Sequence, residues 1–274
     1  MEIGAVLGHL HLSSPDPGSC AAFYASRFGM RHASAGAAEL LHGPGRKLLV
    51  SAGMANRLKY AVWRFACAAA LTAYRARVAQ RVFAVLPDAE RFAANAFAVA
   101  DPDGNVTVFT AGVESGDDSP KVPPAVTQHF ALRTPDPARL LSFYQDDLGF
   151  TLSDRVVDDA GALRACFLRT DRLHHSLALF GAPASRFDHQ SFETPTWERL
   201  RDWADHMAGL KTPMAWGVGR HGPGNDVFFM VADPDGNLAE ISSEIEACAP
   251  DRPVGLWPHE ERTLNLWGRA IMRS

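Results

Sequence analysis

The chain has 274 residues (29.8 kDa), 47% hydrophobic and 21% charged, a balance that excludes a disordered polymer. Lys+Arg 27 against Asp+Glu 31 gives a net charge of −4, which argues against a nucleic-acid partner held by charge. Cys20, Cys67, Cys166 and Cys248 are far apart, Met1 to His11 lacks a signal-peptide pattern, and Phe65 to Tyr74 falls short of the roughly 20 apolar residues of a membrane span, so a soluble, cytoplasmic protein is expected.

The segment from Gly8 to Pro17 reads as a strand followed by a helix start, with Phe23-Tyr24 and Phe28-Gly29-Met30 along and after the helix. Ala100 to Asn105 contains Asp-Pro-Asp-Gly-Asn, a turn between strands, because Asp-Gly supplies the positive φ of a tight hairpin. Residues 114–126, rich in Gly, Asp, Ser and Pro, read as a linker. Gln128 to Pro137 then repeats the opening segment at an offset of 120, and leads to Phe143-Tyr144 and Leu148-Gly149-Phe150. Asp136 is placed to cap the helix and Pro137 suits its first turn; Leu140, Leu141, Tyr144 and Leu148 form its apolar stripe. A second helix is predicted from near Thr194-Pro195 to Gly209, burying Trp197, Leu200, Ala204 and Met207. Ala232 to Asn237 repeats the closing turn at an offset of 132, so the second copy holds 12 extra residues. Two matches in the same order indicate a duplication. The expected organisation is a module over 1–113, the linker over 114–126, a second module over 127–246, and a tail over 247–274 whose Trp257, Leu264, Leu266 and Trp267 pack on the body.

The polar residues that invite chemistry lie in the second copy. Singly, a strand His or Glu is most often solvated or a satisfied core residue. Aligned through the repeats, however, His129, His189 and Glu240 fall opposite His9, Tyr60 and Val108. One copy carries His, His and Glu where the other has lost two of three. Two imidazoles and a carboxylate on three strands suit the facial triad of Fe(II), with positions left open for substrate and O2; Mn(II), and less readily Zn(II), fit the same donors. Asp188 and Glu193 are rival carboxylates, but strand alternation points Asp188 away from His189, and Glu240 is the preferred ligand. Phe228, Phe229, Met230 and Trp216 offer an aromatic pocket or ordinary core.

On these residues the chain resembles the vicinal oxygen chelate superfamily and, within it, the type I extradiol ring-cleavage dioxygenases. The resemblance rests on His129-Phe130-Ala131-Leu132, His174-His175-Ser176-Leu177-Ala178, Phe187-Asp188-His189, Gly219-Arg220-His221-Gly222-Pro223-Gly224-Asn225, and Asp233-Pro234-Asp235-Gly236-Asn237-Leu238-Ala239-Glu240. It implies an α+β fold of two tandem modules, each of paired βαβββ units forming a partly open barrel around one site, the first module degenerate. It further implies His129, His189 and Glu240 as ligands of Fe(II) or Mn(II), His175 as a proton-handling residue, and His221 as a hydrogen-bonding partner of bound catecholate. His174 matches no family role. Met230 stands where the family places a Tyr, and a thioether cannot donate a phenolic hydrogen bond. The implied partners are a small aromatic substrate and O2, in a homo-oligomer. Two alternatives share the fold: a metal-dependent isomerase or lyase, for which more carboxylates would be expected, and a ligand-binding resistance protein, which has no need of the triad.

Overall fold

Each Asp-Pro pair turns the chain from strand to helix. Asp16 Oδ1 accepts from Ser19 N and Asp136 Oδ1 from Arg139 N, both at 3.0 Å, while Pro17 and Pro137 occupy first-turn positions where an N–H would be unpaired. The structure, a computed structural model, describes residues 2–79, 83–112 and 122–273. Of the expected linker, residues 114–121 lie outside the described residues.

Four βαβββ units follow one another. The first comprises β1 (Ala5–Ser14), α1 (Pro17–Arg27), β2 (Arg31–Ala35), β3 (Ala38–Gly43) and β4 (Arg46–Ala52). The second comprises β5 (Arg57–Phe65), α2 (Ala68–Arg77), β6 (Phe83–Ala84), β7 (Phe97–Ala100) and β8 (Val106–Ala111). The third has β9 (Val126–Thr134), α3 (Pro137–Ser142), β10 (Thr151–Val157), β11 (Leu163–Arg169) and β12 (Leu177–Gly181). The fourth has β13 (Arg186–Glu193), α4 (Trp197–Gly209), β14 (Trp216–Arg220), β15 (Val227–Ala232) and β16 (Leu238–Ser243). β17 (Gly255–Pro258) and α5 (Glu261–Leu264) end the chain. Among these helices none is long and apolar enough to cross a membrane.

Units one and two form one sheet, β2-β3-β4-β1-β5-β8-β7-β6; units three and four form another, β14-β15-β16-β13-β9-β12-β11-β10-β17. In both, the first strand of a unit pairs parallel with that unit's last strand, and the two first strands pair antiparallel. This is the expected arrangement of paired βαβββ units in open, barrel-like sheets.

The register supports the duplication residue by residue. His9 pairs with Val62, which pairs with Val108; His129 pairs with Ser191, which pairs with Glu240. Tyr60 opposes His11 as His189 opposes Ala131. Both central ladders are interrupted at equivalent places, skipping Gly8 and Lys59 in the first sheet and Gln128 and Asp188 in the second. β-Bulges of this kind re-aim side chains beside a site.

One core joins the two sheets. Trp63 meets Phe150 edge-on at 5.0 Å between centroids, and Phe28 packs on Phe192 and Trp203. Each such buried aromatic contributes about 1.5–3 kcal/mol by its burial alone. In α4, Leu200, Trp203 and Met207 are buried, whereas Trp197, expected inside, is 40% exposed and stacks edge-on against Trp267. Trp203 takes its place because it lies three residues after Leu200 on the inward stripe. α3 passes into a π-helical turn, Phe143–Asp147, that still buries Tyr144.

The closing turns are built alike. Asp101 accepts from the backbone of Asp103 and Asn105, and Asp233 from that of Asp235 and Asn237, around Gly104 (φ +86°) and Gly236 (φ +77°). Each also receives a hydroxyl from the opposite half. Tyr24 donates to Asp233 at 3.1 Å, and Tyr144 donates to Asp101 at 3.0 Å.

Candidate metal centre

Three adjacent strands, β9, β13 and β16, present His129, His189 and Glu240 to one point. The Nε2 atoms of His129 and His189 are 3.1 Å apart, and His129 Nε2 lies 3.6 Å from Glu240 Oε1. The three donor atoms lie within 4.8 Å of one another, and all three residues are buried. Glu240 Oε1 accepts from Ser191 Oγ at 2.8 Å, while Oε2 has no hydrogen-bond partner among the described residues. A buried carboxylate oxygen without a partner is costly unless a cation meets it. The donor set and this oxygen both fit a divalent metal.

The remaining ring nitrogens are held from behind. Gln128, the bulged residue before His129, meets His129 Nδ1 through its Oε1 and donates through Nε2 to the carbonyl of His175 at 2.5 Å. Asp188, the bulged residue before His189, accepts from His189 Nδ1 at 2.6 Å. Each interruption thus turns the preceding side chain toward the ring beside it, leaving Nε2 for the centre. Asp188 also accepts from Arg133 Nε at 2.5 Å and Arg273 Nη2 at 3.1 Å. Burial works to raise its carboxyl, but the charge of Arg273 and the His189 hydrogen bond hold it well below the usual range. Strand alternation correctly separates Asp188 from the donor trio but misses this contact, because the bulge breaks the alternation. Glu193 is outside the trio: its Oε1 accepts from Ile245 N at 3.2 Å, and burial pushes its carboxyl up to about 8.

Burial is also the main influence on the imidazoles. It pushes His129 down to about 3 against the pull of Glu240, and holds His175 well below its ordinary value, so both are neutral. In Glu240, burial is outweighed by His221 and the other imidazoles, which keep the carboxylate ionised. His221 follows β14. Its ring stacks on Phe228 with centroids 3.8 Å apart, its Nδ1 donates to the Leu264 carbonyl at 2.5 Å, and its Nε2 lies 3.6 Å from Glu240 Oε2. Burial acts to lower its pKa, but Glu240 and Asp226 raise it. His221, Asp226 and Glu240 form a second close group of donors, in which burial pushes Asp226 up to about 7.

His129, His189, His175 and His221 line one cavity with Phe167, Phe180, Met230 and Leu264. Met230, expected in the pocket, is there. Trp216, expected with it, sits one layer back against His221 and Phe228. Phe229 does not line the cavity: alternation along β15 puts it with Val227 and Val231 in the core shared with α4. Phe167 and Phe180, missed in the sequence, supply the aromatic walls. Arg273, near the chain end, also lines the cavity, with its guanidinium over Phe180 and Trp216. The rest of the tail closes the same side: Trp257 Nε1 donates to Asp154 at 2.7 Å and Trp216 Nε1 to the Arg269 carbonyl at 2.9 Å.

The equivalent place in the first sheet is filled by Tyr60, Val62, Ala98 and Val108, with the Tyr60 hydroxyl donating to Asp88 at 2.8 Å.

Comparison with known proteins agrees with this geometry. Residues 127–241 match the model of the Glyoxalase/Bleomycin resistance protein/Dioxygenase superfamily. Metapyrocatechase 2 of Cupriavidus necator is 35% identical over 156 residues, covering 55% of this chain and 47% of that protein. A biphenyl-2,3-diol 1,2-dioxygenase of Paraburkholderia xenovorans (strain LB400) is 30% identical over 152 residues, 53% of this chain and 49% of the other. The chain thus spans about half the length of the curated relatives it matches. Among solved structures, homoprotocatechuate 2,3-dioxygenase from Arthrobacter globiformis superposes with a TM-score of 0.82 at 23% identity, over 99% of this chain and 90% of that one. The Mn(II)-bound glyoxalase from Novosphingobium aromaticivorans gives 0.80 at 22%, over 99% and 93%. At these identities the likeness is one of fold.

Proposed function

We propose, from the match of residues 127–241 to the Glyoxalase/Bleomycin resistance protein/Dioxygenase superfamily, that this protein is an Fe(II)-dependent extradiol dioxygenase that opens the ring of a catechol-type aromatic with O2. The observation that carries the reading is the gathering of His129, His189 and Glu240 from one module only, with both histidines lining an apolar cavity together with His175 and His221. The names of the relatives, a metapyrocatechase and a biphenyl-2,3-diol dioxygenase, support it.

A ferrous ion held by His129, His189 and Glu240 would supply Lewis acidity toward two adjacent ring oxygens and a redox centre for O2, as Mn(II) also would. The chain's own side chains do the rest. Phe167, Phe180, Met230 and Leu264 enclose an aromatic ring and exclude water. His175, neutral and in the cavity wall, is suited to accept a proton from a substrate hydroxyl and return it. His221, pinned through Nδ1 to the Leu264 carbonyl, is set to hydrogen-bond the substrate beside Glu240. Met230 brings no hydroxyl to this cavity, so proton handling rests on the two histidines.

The test is oxygen uptake, together with formation of a yellow ring-opened product, after anaerobic Fe(II) loading and addition of air and substituted catechols. Uptake and colour with at least one catechol, abolished in His189→Ala, are expected. A metal-loaded protein that consumes no O2 with any catechol would overturn the reading in favour of another metal-dependent reaction of this fold.

A further inference from the structure

His174, without a family counterpart, is wholly buried between His175 and a carboxylate. Its Nδ1 lies 3.0 Å from His175 Nδ1, and its Nε2 lies 3.1 Å from Asp154 Oδ2. We propose that His174 and Asp154 are positioning residues that fix the proton of His175 on Nδ1 and so turn a bare Nε2 toward the substrate. Its catalytic meaning rests on the dioxygenase reading above.

The assignment follows from donors and acceptors. Asp154, on β10, accepts from Arg252 Nη1 at 2.8 Å, Gly255 N at 3.1 Å and Trp257 Nε1 at 2.7 Å. Burial acts to raise its carboxyl, but His174, Arg252 and Trp257 hold it low, so it is ionised and can only accept. Nε2 of His174 stands 3.1 Å from this negative charge, without the alignment of a hydrogen bond, and the charge favours the hydrogen of His174 on Nε2. With its hydrogen there, His174 is bare at Nδ1, so the 3.0 Å contact with His175 places the hydrogen of His175 on Nδ1. What remains on His175 is an Nε2 lone pair, the form that accepts a proton.

Two further features belong to this bridge. Gly224 (φ +82°) closes over it: a Cβ there would stand 3.0 Å from both His174 Nδ1 and Asp226 Oδ1. Glycine is required twice, for the backbone angle and for the space. Also, β1 pairs Leu10 with Leu48 where β9 pairs Phe130 with Leu177, so residues 174 and 175 correspond to Gly45 and Arg46 in the first sheet. The histidine pair is found only in the half that gathers the metal donors.

The test combines a tautomer measurement with kinetics on the full-length protein. Long-range 1H–15N correlation of histidine-labelled protein reports which nitrogen of His175 is protonated, without turnover. His174→Gln keeps an acceptor for His175 Nδ1; His174→Leu removes it. The wild type and His174→Gln are expected to show an unprotonated His175 Nε2, and His174→Leu a mixture of tautomers. In the Fe(II)-loaded enzyme, His174→Leu should lower kcat about 10- to 100-fold, as loss of such outer partners typically does, with KM and bound iron unchanged. His174→Gln should recover most of that loss. A protonated Nε2 in the wild type overturns the proposal, as does His174→Leu with wild-type tautomer and kcat. If His174→Leu does not fold, the wild type and His174→Gln decide by the same tautomer criterion. If the wild type cleaves no catechol, the dioxygenase reading falls while the tautomer still decides the positioning role.

Discussion

Asp188→Asn removes one charge from the densest contact behind the proposed metal centre. In the wild type, Oδ1 faces His189 Nδ1 at 2.6 Å and Arg273 Nη2 at 3.1 Å, while Oδ2 faces Arg133 Nε at 2.5 Å and Arg273 Nε at 3.3 Å. However the new amide turns, its NH2 meets N–H donors. The Arg273 side chain, 2% exposed, loses its counter-charge, whereas Arg133, 20% exposed, keeps some water. Breaking a buried pair costs about 3–5 kcal/mol, and the partial access of Arg133 places the expected loss near the lower end, about 3 kcal/mol. His189 is no longer firmly oriented, so metal affinity should fall about 10- to 100-fold, or about 1.4–2.7 kcal/mol. Urea unfolding of the metal-free protein reads the first loss. Anaerobic Fe(II) competition against a chromogenic chelator reads the second. A variant with wild-type urea midpoint and wild-type Fe(II) affinity would refute the role given to Asp188.

His129→Ala should abolish stoichiometric Fe(II) binding while His9→Ala leaves it intact, by metal analysis after desalting; equal losses would refute the assignment of the centre to one half. Tyr24→Phe and Tyr144→Phe should each cost about 1–2 kcal/mol and combine nearly additively, because they remove separate hydrogen bonds to buried carboxylates; urea midpoints of single and double variants check this. Glu193, raised from 4.5 to about 8 by burial and by Asp226, makes the folded state bind the extra proton. Its contribution is therefore fully present below about pH 4.5 and is lost as pH rises toward 8, a change on the order of a few kcal/mol. Relative to Glu193→Gln, metal-free wild type should lose urea stability between pH 5.5 and 8.5; parallel pH curves would contradict it.

Much of this arrangement is legible in the sequence because it is written twice. The repeated His strand, Asp-Pro helix start and Asp-Pro-Asp-Gly-Asn turn specify the units, and loss of two donors in one copy singles out the other. The resemblance brings Met230 to the cavity, and Phe229 is misplaced beside it because both faces of β15 are apolar. Alternation along β13 misses the contact of Asp188 with His189, since a bulge is a property of two paired strands and leaves no mark in either alone. The cavity walls Phe167 and Phe180, the tail's Arg273 and the Asp154–His174 contact join residues far apart in the chain, and no local pattern predicts such meetings.

The two tyrosine–aspartate contacts between the halves have a bearing on ancestry. Tyr24 to Asp233 and Tyr144 to Asp101 are one contact made twice, by corresponding residues. A contact that repeats under exchange of partners is what a two-fold symmetric dimer of single-module chains would make, from one tyrosine and one aspartate per gene. In such a dimer every substitution appears in both active sites at once. Fusion into one chain ends that obligation: one copy is free to discard its donors and keep only its grip on the other.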